Sequence, residues 1–153
     1  EIVKNKLNKN KIKNVKLIKS DLTKIPLDSN YFDSILFIAA LHNIRYRHNR
    51  IKALKEVKRL LKKDKTSLIS VWSREQEKFR EYFKNKNNNS KELGDIEIYW
   101  KQDRINIPRF YHLYEKEEFI QDLEESGLVI VEIKDIKIIS KKYPDNYYAI
   151  VKN

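Results

Sequence analysis

Seven consecutive apolar residues, Ile-Leu-Phe-Ile-Ala-Ala-Leu at 35–41, follow Phe32-Asp33-Ser34 and break abruptly into His42, Asn43 and a basic stretch. A strand that is apolar without alternation is one covered on both faces, the form that parallel strands take inside α/β folds. Ligands in such folds collect beyond the carboxyl ends of the strands. The residues before the run, Asp-Leu-Thr-Lys-Ile-Pro at 21–26, add a carboxylate and a Pro-kinked loop on the approach. A site is therefore expected around this strand and its C-terminal end.

The rest of the chain alternates in the same manner. Residues 1–10 read as the tail of a helix, and 15–18, with Val15, Leu17 and Ile18 among lysines, as a short strand leading to Ser20 and Asp21. A second strand is expected at 32–39. Residues 48–62 form the clearest helix, because Ile51, Leu54, Val57, Leu60 and Leu61 recur at helical spacing with Lys and Arg opposite. Residues 63–65 then turn into a third strand at 67–72, followed by a short helix at 76–83. The polar, Asn-rich stretch 84–92 reads as a mobile loop. A second good helix is expected at 117–126, with glutamates near its positive end and Gly127 where a left-handed cap is needed. Two strands that pair, at 128–133 and 147–151, close the chain.

A length of 153 residues suits one domain with a real core. The glycines are Gly94 and Gly127 alone, so the chain holds no Gly-rich cofactor or phosphate loop, and it contains no Met. Residues 1–153 are accordingly expected to be part of a larger domain, its first half upstream of Glu1. A net charge of +11 invites a nucleic-acid partner. Of the 33 basic residues, however, 25 are lysines interleaved with asparagine, and coding bias produces the same charge, so charge alone divides evenly between the readings. Without Cys there is no disulfide framework or thiolate metal site, and the three His, at 42, 48 and 112, lack ligand spacing, so no metal is expected. No apolar stretch reaches membrane-spanning length. The expectation is a soluble chain of the cytoplasm or nucleus.

The Asp21 block and the Phe32-Asp33-Ser34-Ile35 strand resemble the class I methyltransferases that use S-adenosylmethionine. That resemblance implies a Rossmann-like α/β fold, a mostly parallel sheet with helices on both faces, of which this chain supplies the C-terminal portion. It further implies cofactor contacts at Asp21, which would meet the adenine, and at Leu22, Ile38, Ala39 and His42. Two other stretches, Ser70-Val71-Trp72-Ser73-Arg74-Glu75-Gln76 and Arg109-Phe110-Tyr111-His112-Leu113-Tyr114, resemble signatures of the tRNA wobble-uridine methyltransferases, which convert 5-carboxymethyluridine to its methyl ester. Ala-Ala-Leu-His-Asn at 39–43 resembles that family's Ala-Val-Leu-His-His, with Asn43 replacing its second His. Lys63-Asp64-Lys65 stands where the family has Pro-Gly-Gly.

Activity, site and partners follow from that likeness as expectations. A carboxylate is already ionised at neutral pH, so the enzyme must align it and not deprotonate it. Arg109 is the candidate clamp, since a guanidinium grips a carboxylate in two places; the alternative is an ion pair between Arg109 and the following helix. His42, Tyr111 and His112 complete the catalytic candidates, the rings suiting an unstacked base. Arg45, Arg47 and Arg50 are candidates for tRNA phosphates, and Trp72 for a pocket wall; Tyr99 and Trp100 form either a lid or simple packing. The resemblance implies two partners, tRNA and a small zinc-binding activator subunit that adds a strand beside 15–18. The chain by itself is expected to be inactive. Rival readings are a small-molecule methyltransferase of the quinone or sterol type, and a non-catalytic module that binds RNA or a partner.

Overall fold

The computed structural model describes residues 2–85, 92–102 and 105–153. In chain order these form α1 (Ile2–Lys9), β1 (Phe32–Ile38), a 3-10 turn (Leu41–Asn43), α2 (Arg47–Leu60), β2 (Leu61–Trp72), α3 (Glu77–Asn85), β3 (Asp95–Gln102), β4 (Ile105–His112), α4 (Lys116–Glu125), β5 (Val129–Ile136) and β6 (Asn146–Lys152). The main sheet has the order β1-β2-β6-β5, while β3 and β4 form a separate antiparallel hairpin.

The α/β architecture expected from the sequence is present, with a mixed sheet: β1 and β2 are parallel, and β6 runs antiparallel to both β2 and β5. The connections explain the difference. Between β1 and β2 the chain crosses back through α2, as parallel pairing demands, whereas 137–145 holds no helix and folds β6 back against β5. Phe37, Ile69, Val71, Ala149 and Val151 share one face and pack against Leu54 and Val57 of α2 and Phe119 and Leu123 of α4. Each buried Phe, Ile, Leu or Val among these contributes roughly 1.5–3 kcal/mol relative to exposure. The alternate residues point away, with Leu36 74% exposed and Ile38 exposed, so in the described structure β1 is covered on one face, not on both as its unbroken apolar run implies.

Helix α4 stops where the sequence says it must. Gly127, at φ 81°, donates its N–H to Glu124 O, and Leu128 donates to Leu123 O, the paired bonds of a Schellman cap.

Three expectations need correction. Residues 15–18 form no strand: nothing in the described structure pairs with them, and Val15, Leu17 and Ile18 are exposed. Residues 63–65 fall inside β2, which starts at Leu61 and so is longer than the strand expected at 67–72; the expected turn survives as a break in the pairing with β1, which passes from Phe32 opposite Leu61 to Ser34 opposite Thr66, with Asp64 left-handed at φ 59°. The loop expected at 84–92 does not have those bounds. Lys84 and Asn85 belong to α3, and Glu92 is fixed by hydrogen bonds from α2; 86–91 lie outside the described residues.

The hairpin was not anticipated, although its signal is in the sequence: Ile96, Ile98 and Trp100 alternate with polar or exposed neighbours and lie opposite Tyr111, Arg109 and Ile107. Pro108 is tolerated because β4 pairs with β3 alone among the described strands. Gly94 lets the base of the hairpin close, since a Cβ there would lie 2.1 Å from Leu113 O. Among the described residues, no helix is long and apolar enough to cross a membrane.

Candidate functional site

Beyond the carboxyl end of β1 the chain leaves the sheet at Ala39, whose φ of 50° is a left-handed conformation that costs a residue with a Cβ roughly 1–2 kcal/mol. Ser70 of β2 holds this turn, its hydroxyl oxygen accepting the Ala39 N–H at 3.0 Å. The following 3-10 turn drives His42 into the interior, where Nδ1 accepts the Trp72 N–H at 3.1 Å. Burial, with a smaller contribution from the His112 charge, pushes the His42 pKa down to about 4. The imidazole is therefore neutral at pH 7, with its proton on Nε2.

Around His42 the two halves of the chain meet. Its ring lies 5.1 Å from Trp72 and 5.8 Å from Tyr111, and Trp72 and Tyr111 stack at 5.0 Å with planes 5° apart. Trp100 Nε1 donates to the Tyr111 hydroxyl at 3.0 Å, and the Arg109 guanidinium lies 4.5 Å over the Trp100 ring. Four of the expected site residues, His42, Trp72, Arg109 and Tyr111, are thus joined in one aromatic array ending in an exposed cation. Trp100 completes it, packing against Arg109 and Tyr111.

Arg109 has no carboxylate partner among the described residues, contrary to the ion-pair alternative. Three of the five acids of α4 are engaged elsewhere, and none of the five pairs with Arg109. Asp122 and Glu125 bind Arg47 at 2.8 and 2.6 Å, and Glu118 binds His112 Nε2 at 2.8 Å.

His112 needs reassignment. It is fully buried, with Nδ1 2.8 Å from Asp95 and Nε2 2.8 Å from Glu118, so neither ring nitrogen is free for a reacting group. It fastens the end of β4 to α4. Arg50 is also fully buried, 2.6 Å from Glu92 and 3.6 Å from Glu118, and cannot reach an RNA phosphate. Arg47 is tied to α4. Arg45 stays at the surface, 3.3 Å from Glu97 and over the Phe110 ring. Glu92, Asp95 and His112 come close enough to suggest a metal cluster. The guanidinium of Arg50 already supplies the cation there: burial alone would raise the Glu92 pKa, but the Arg47 N–H and Arg50 outweigh it and hold it below the ordinary range.

Asp21 and Leu22 lie apart from the array, and no hydrogen bond, ion pair or ring contact joins them to it among the described residues. Asp21 Oδ1 accepts the Thr23 N–H and hydroxyl at 2.8 and 2.7 Å, which lowers its pKa. Its other carboxylate oxygen faces solvent as an available acceptor.

Comparison with known proteins decides what this fold is. The family described as Methyltransferase domain matches residues 1–69. A SAM-dependent methyltransferase of Methanosarcina mazei superimposes with a TM-score of 0.71 at 14% identity, over 87% of this chain and 64% of that one. The chain has the class I S-adenosylmethionine-dependent methyltransferase fold. Among curated relatives, a protein of Encephalitozoon cuniculi named as a methyltransferase is 27% identical over 116 residues, 76% of this chain and 53% of that protein. A Schizosaccharomyces pombe protein named tRNA (carboxymethyluridine(34)-5-O)-methyltransferase is 29% identical over 138 residues, covering 76% of this chain and 58% of that one. The chain thus spans little more than half the length of these curated relatives.

S-adenosylmethionine is the cofactor of this methyltransferase fold, and the residues present fit part of it. The free oxygen of Asp21 suits an adenine amino group, and the small Ala39 leaves the strand end open. The chain contributes no Gly-rich turn for the remainder.

Proposed function

We propose that this chain is the C-terminal portion of a methyltransferase that esterifies the carboxylate of 5-carboxymethyluridine at the wobble position of tRNA, the cofactor-binding first half of the domain lying upstream. The observation that carries the reading is Arg109: an exposed guanidinium without an acidic partner among the described residues, set on Trp100 at the edge of the aromatic array, beyond the carboxyl ends of β1 and β2. The name of the Schizosaccharomyces pombe relative supports the same substrate.

When bound, S-adenosylmethionine supplies an electrophilic methyl group to an oxygen that is already ionised. No residue has to remove a proton, which agrees with a neutral, buried His42 whose Nδ1 is occupied by the Trp72 N–H. His42 shapes the pocket and orients Trp72. Arg109 grips the substrate carboxylate in two places and turns one oxygen toward the methyl. Asp21, Leu22, Ile38 and Ala39 contribute to the cofactor side, and Arg45 is the remaining basic residue of its cluster suited to a tRNA phosphate. A partner strand beside 15–18 forms no part of the proposal, since that segment is not in the sheet.

The test is methyl-ester formation on carboxymethyluridine tRNA by the full-length protein. Arg109→Ala is expected to slow transfer while cofactor affinity stays near the parent value, and Arg109→Lys to restore only part of the rate, because a point charge lacks the forked geometry. Parent rates in both variants would remove Arg109 from the role and the reading with it.

A further inference from the structure

Beside the aromatic array, a cavity of about 510 Å³ opens between β3, α3 and the segment 138–146. Its walls include Trp72, Phe79, Ile98, Trp100 and Ile139. We propose that this cavity receives an unstacked nucleobase of single-stranded RNA, next to the acceptor base; the inference rests on the reading of the chain as acting on tRNA.

The chemistry of the walls selects that occupant. Trp100 is 45% exposed and Ile139 89%, so the mouth presents apolar surface that nothing in the described structure covers. Flat rings of this kind stack on splayed bases, with little regard to which base. Polar groups are placed for base edges: Gln76 and Asn146 line the cavity, and their side-chain amides have no partner among the described residues. Each amide offers both donors and an acceptor, the complement of a base edge. Lys78 also lines the opening, and Lys141 and Lys142 stand on the bordering loop, where a phosphate backbone would pass.

The cavity is built and not incidental. Asp145, itself 93% buried by its 7% exposure, accepts the backbone N–H groups of Ile138, Ile139 and Ser140 at 2.6, 2.7 and 3.0 Å, and also binds the Ser140 hydroxyl. This fixes the loop that forms the outer wall. The Asp145 carboxylate oxygens are thereby turned to the loop's own donors. Glu77, the acid nearest that loop in sequence on α3, accepts the N–H groups of Lys141 and Lys142 in the same way.

The chain contains two tryptophans, and both line the cavity and belong to the aromatic array, so intrinsic fluorescence reports binding at either and Ile139→Asp assigns it to the cavity. Titration with penta-uridylate is expected to quench it, whereas an abasic ribose-phosphate pentamer of equal charge is not. Ile139→Asp, at an exposed position that leaves the core intact, is expected to weaken penta-uridylate binding at least fivefold. Loss of one stacking ring corresponds to roughly 5- to 150-fold, so Trp100→Ala is expected within that range, read by competition with labelled RNA. Equal binding of the abasic pentamer, or unchanged affinity in Ile139→Asp, overturns the proposal. Methyl transfer that depends on Arg109 without any quench would leave the proposed function standing and the base pocket refuted; a quench without methyl transfer would do the reverse.

Discussion

Replacing Arg50 by Met removes a buried charge while keeping most of the volume of its stem. The guanidinium is wholly inside the protein, 2.6 Å from Glu92, 3.6 Å from Glu118 and 3.9 Å from Asp122, and its Nε and Nη1 make no hydrogen bond. It is held mainly by opposite charge, with one strong hydrogen bond to Glu92. Taking away one member of such a cluster strands the others in a poorly solvated place, at a cost of about 3–5 kcal/mol. At 2–4 °C per kcal/mol for a domain of this size, the melting temperature is expected to fall by about 6–20 °C. The pH dependence carries a sign. Arg50 helps to hold the Glu92 pKa below its ordinary range, so this stabilisation is present above about pH 4.5 and is lost as pH falls through the lowered value. Asp122 already has a raised pKa from burial, against the pull of Arg47 and Arg50, and rises further without Arg50. Thermal unfolding of parent and Arg50→Met should therefore differ most near pH 7.5, draw together as the stranded carboxyls take up protons, and converge only below about pH 4.5, where Glu92 of the parent is protonated too. Adding Glu92→Gln to Arg50→Met should restore part of the loss. A deficit below about 1 kcal/mol that does not change with pH would refute the reasoning, since pairing would then merely cancel desolvation.

Three further outcomes are expected. His42, held neutral with a pKa of about 4 by burial, opposes protonation of the fold; stability should be lost as pH falls from 6.5 toward 4, by about 3 kcal/mol in full, and His42→Asn should flatten that part of the urea-unfolding profile. For Asp145, burial disfavours the charge, but hydrogen bonds from Ser140 and the backbone outweigh it and hold the pKa at about 2; its stabilisation is present above pH 4 and disappears as pH falls through 2. Asp145→Asn should cost about 1–3 kcal/mol and hasten trypsin cleavage at Lys137, Lys141 and Lys142. Gly94→Ala forces a Cβ into Leu113 O at 2.1 Å and should detach the hairpin base, seen as a red-shifted Trp100 emission; an unshifted spectrum would show that the hairpin closes without that approach.

The sequence by itself determined the elements whose pattern is local. The apolar run at 35–41, the helical spacing of Ile51, Leu54 and Val57, and Gly127 at a helix end each depend on neighbours within a few residues, and they stand in the structure as β1, α2 and the cap of α4. The likeness at 70–76 and 109–114 likewise picked out Trp72, Arg109 and Tyr111, which the fold brings together with His42. What tertiary structure alone decided is which charges are free. Arg45, Arg47, Arg50 and Arg109 look alike as letters, yet Arg50 is consumed by Glu92, 42 residues away, and Arg47 by Asp122, 75 residues away. His112 stands beside Tyr111 in the same motif but points into carboxylates, because successive residues of a strand face opposite sides. Residues 15–18 show the converse. Their apolar pattern is local, but a strand exists only through hydrogen bonds to another strand, and no described strand lies beside them.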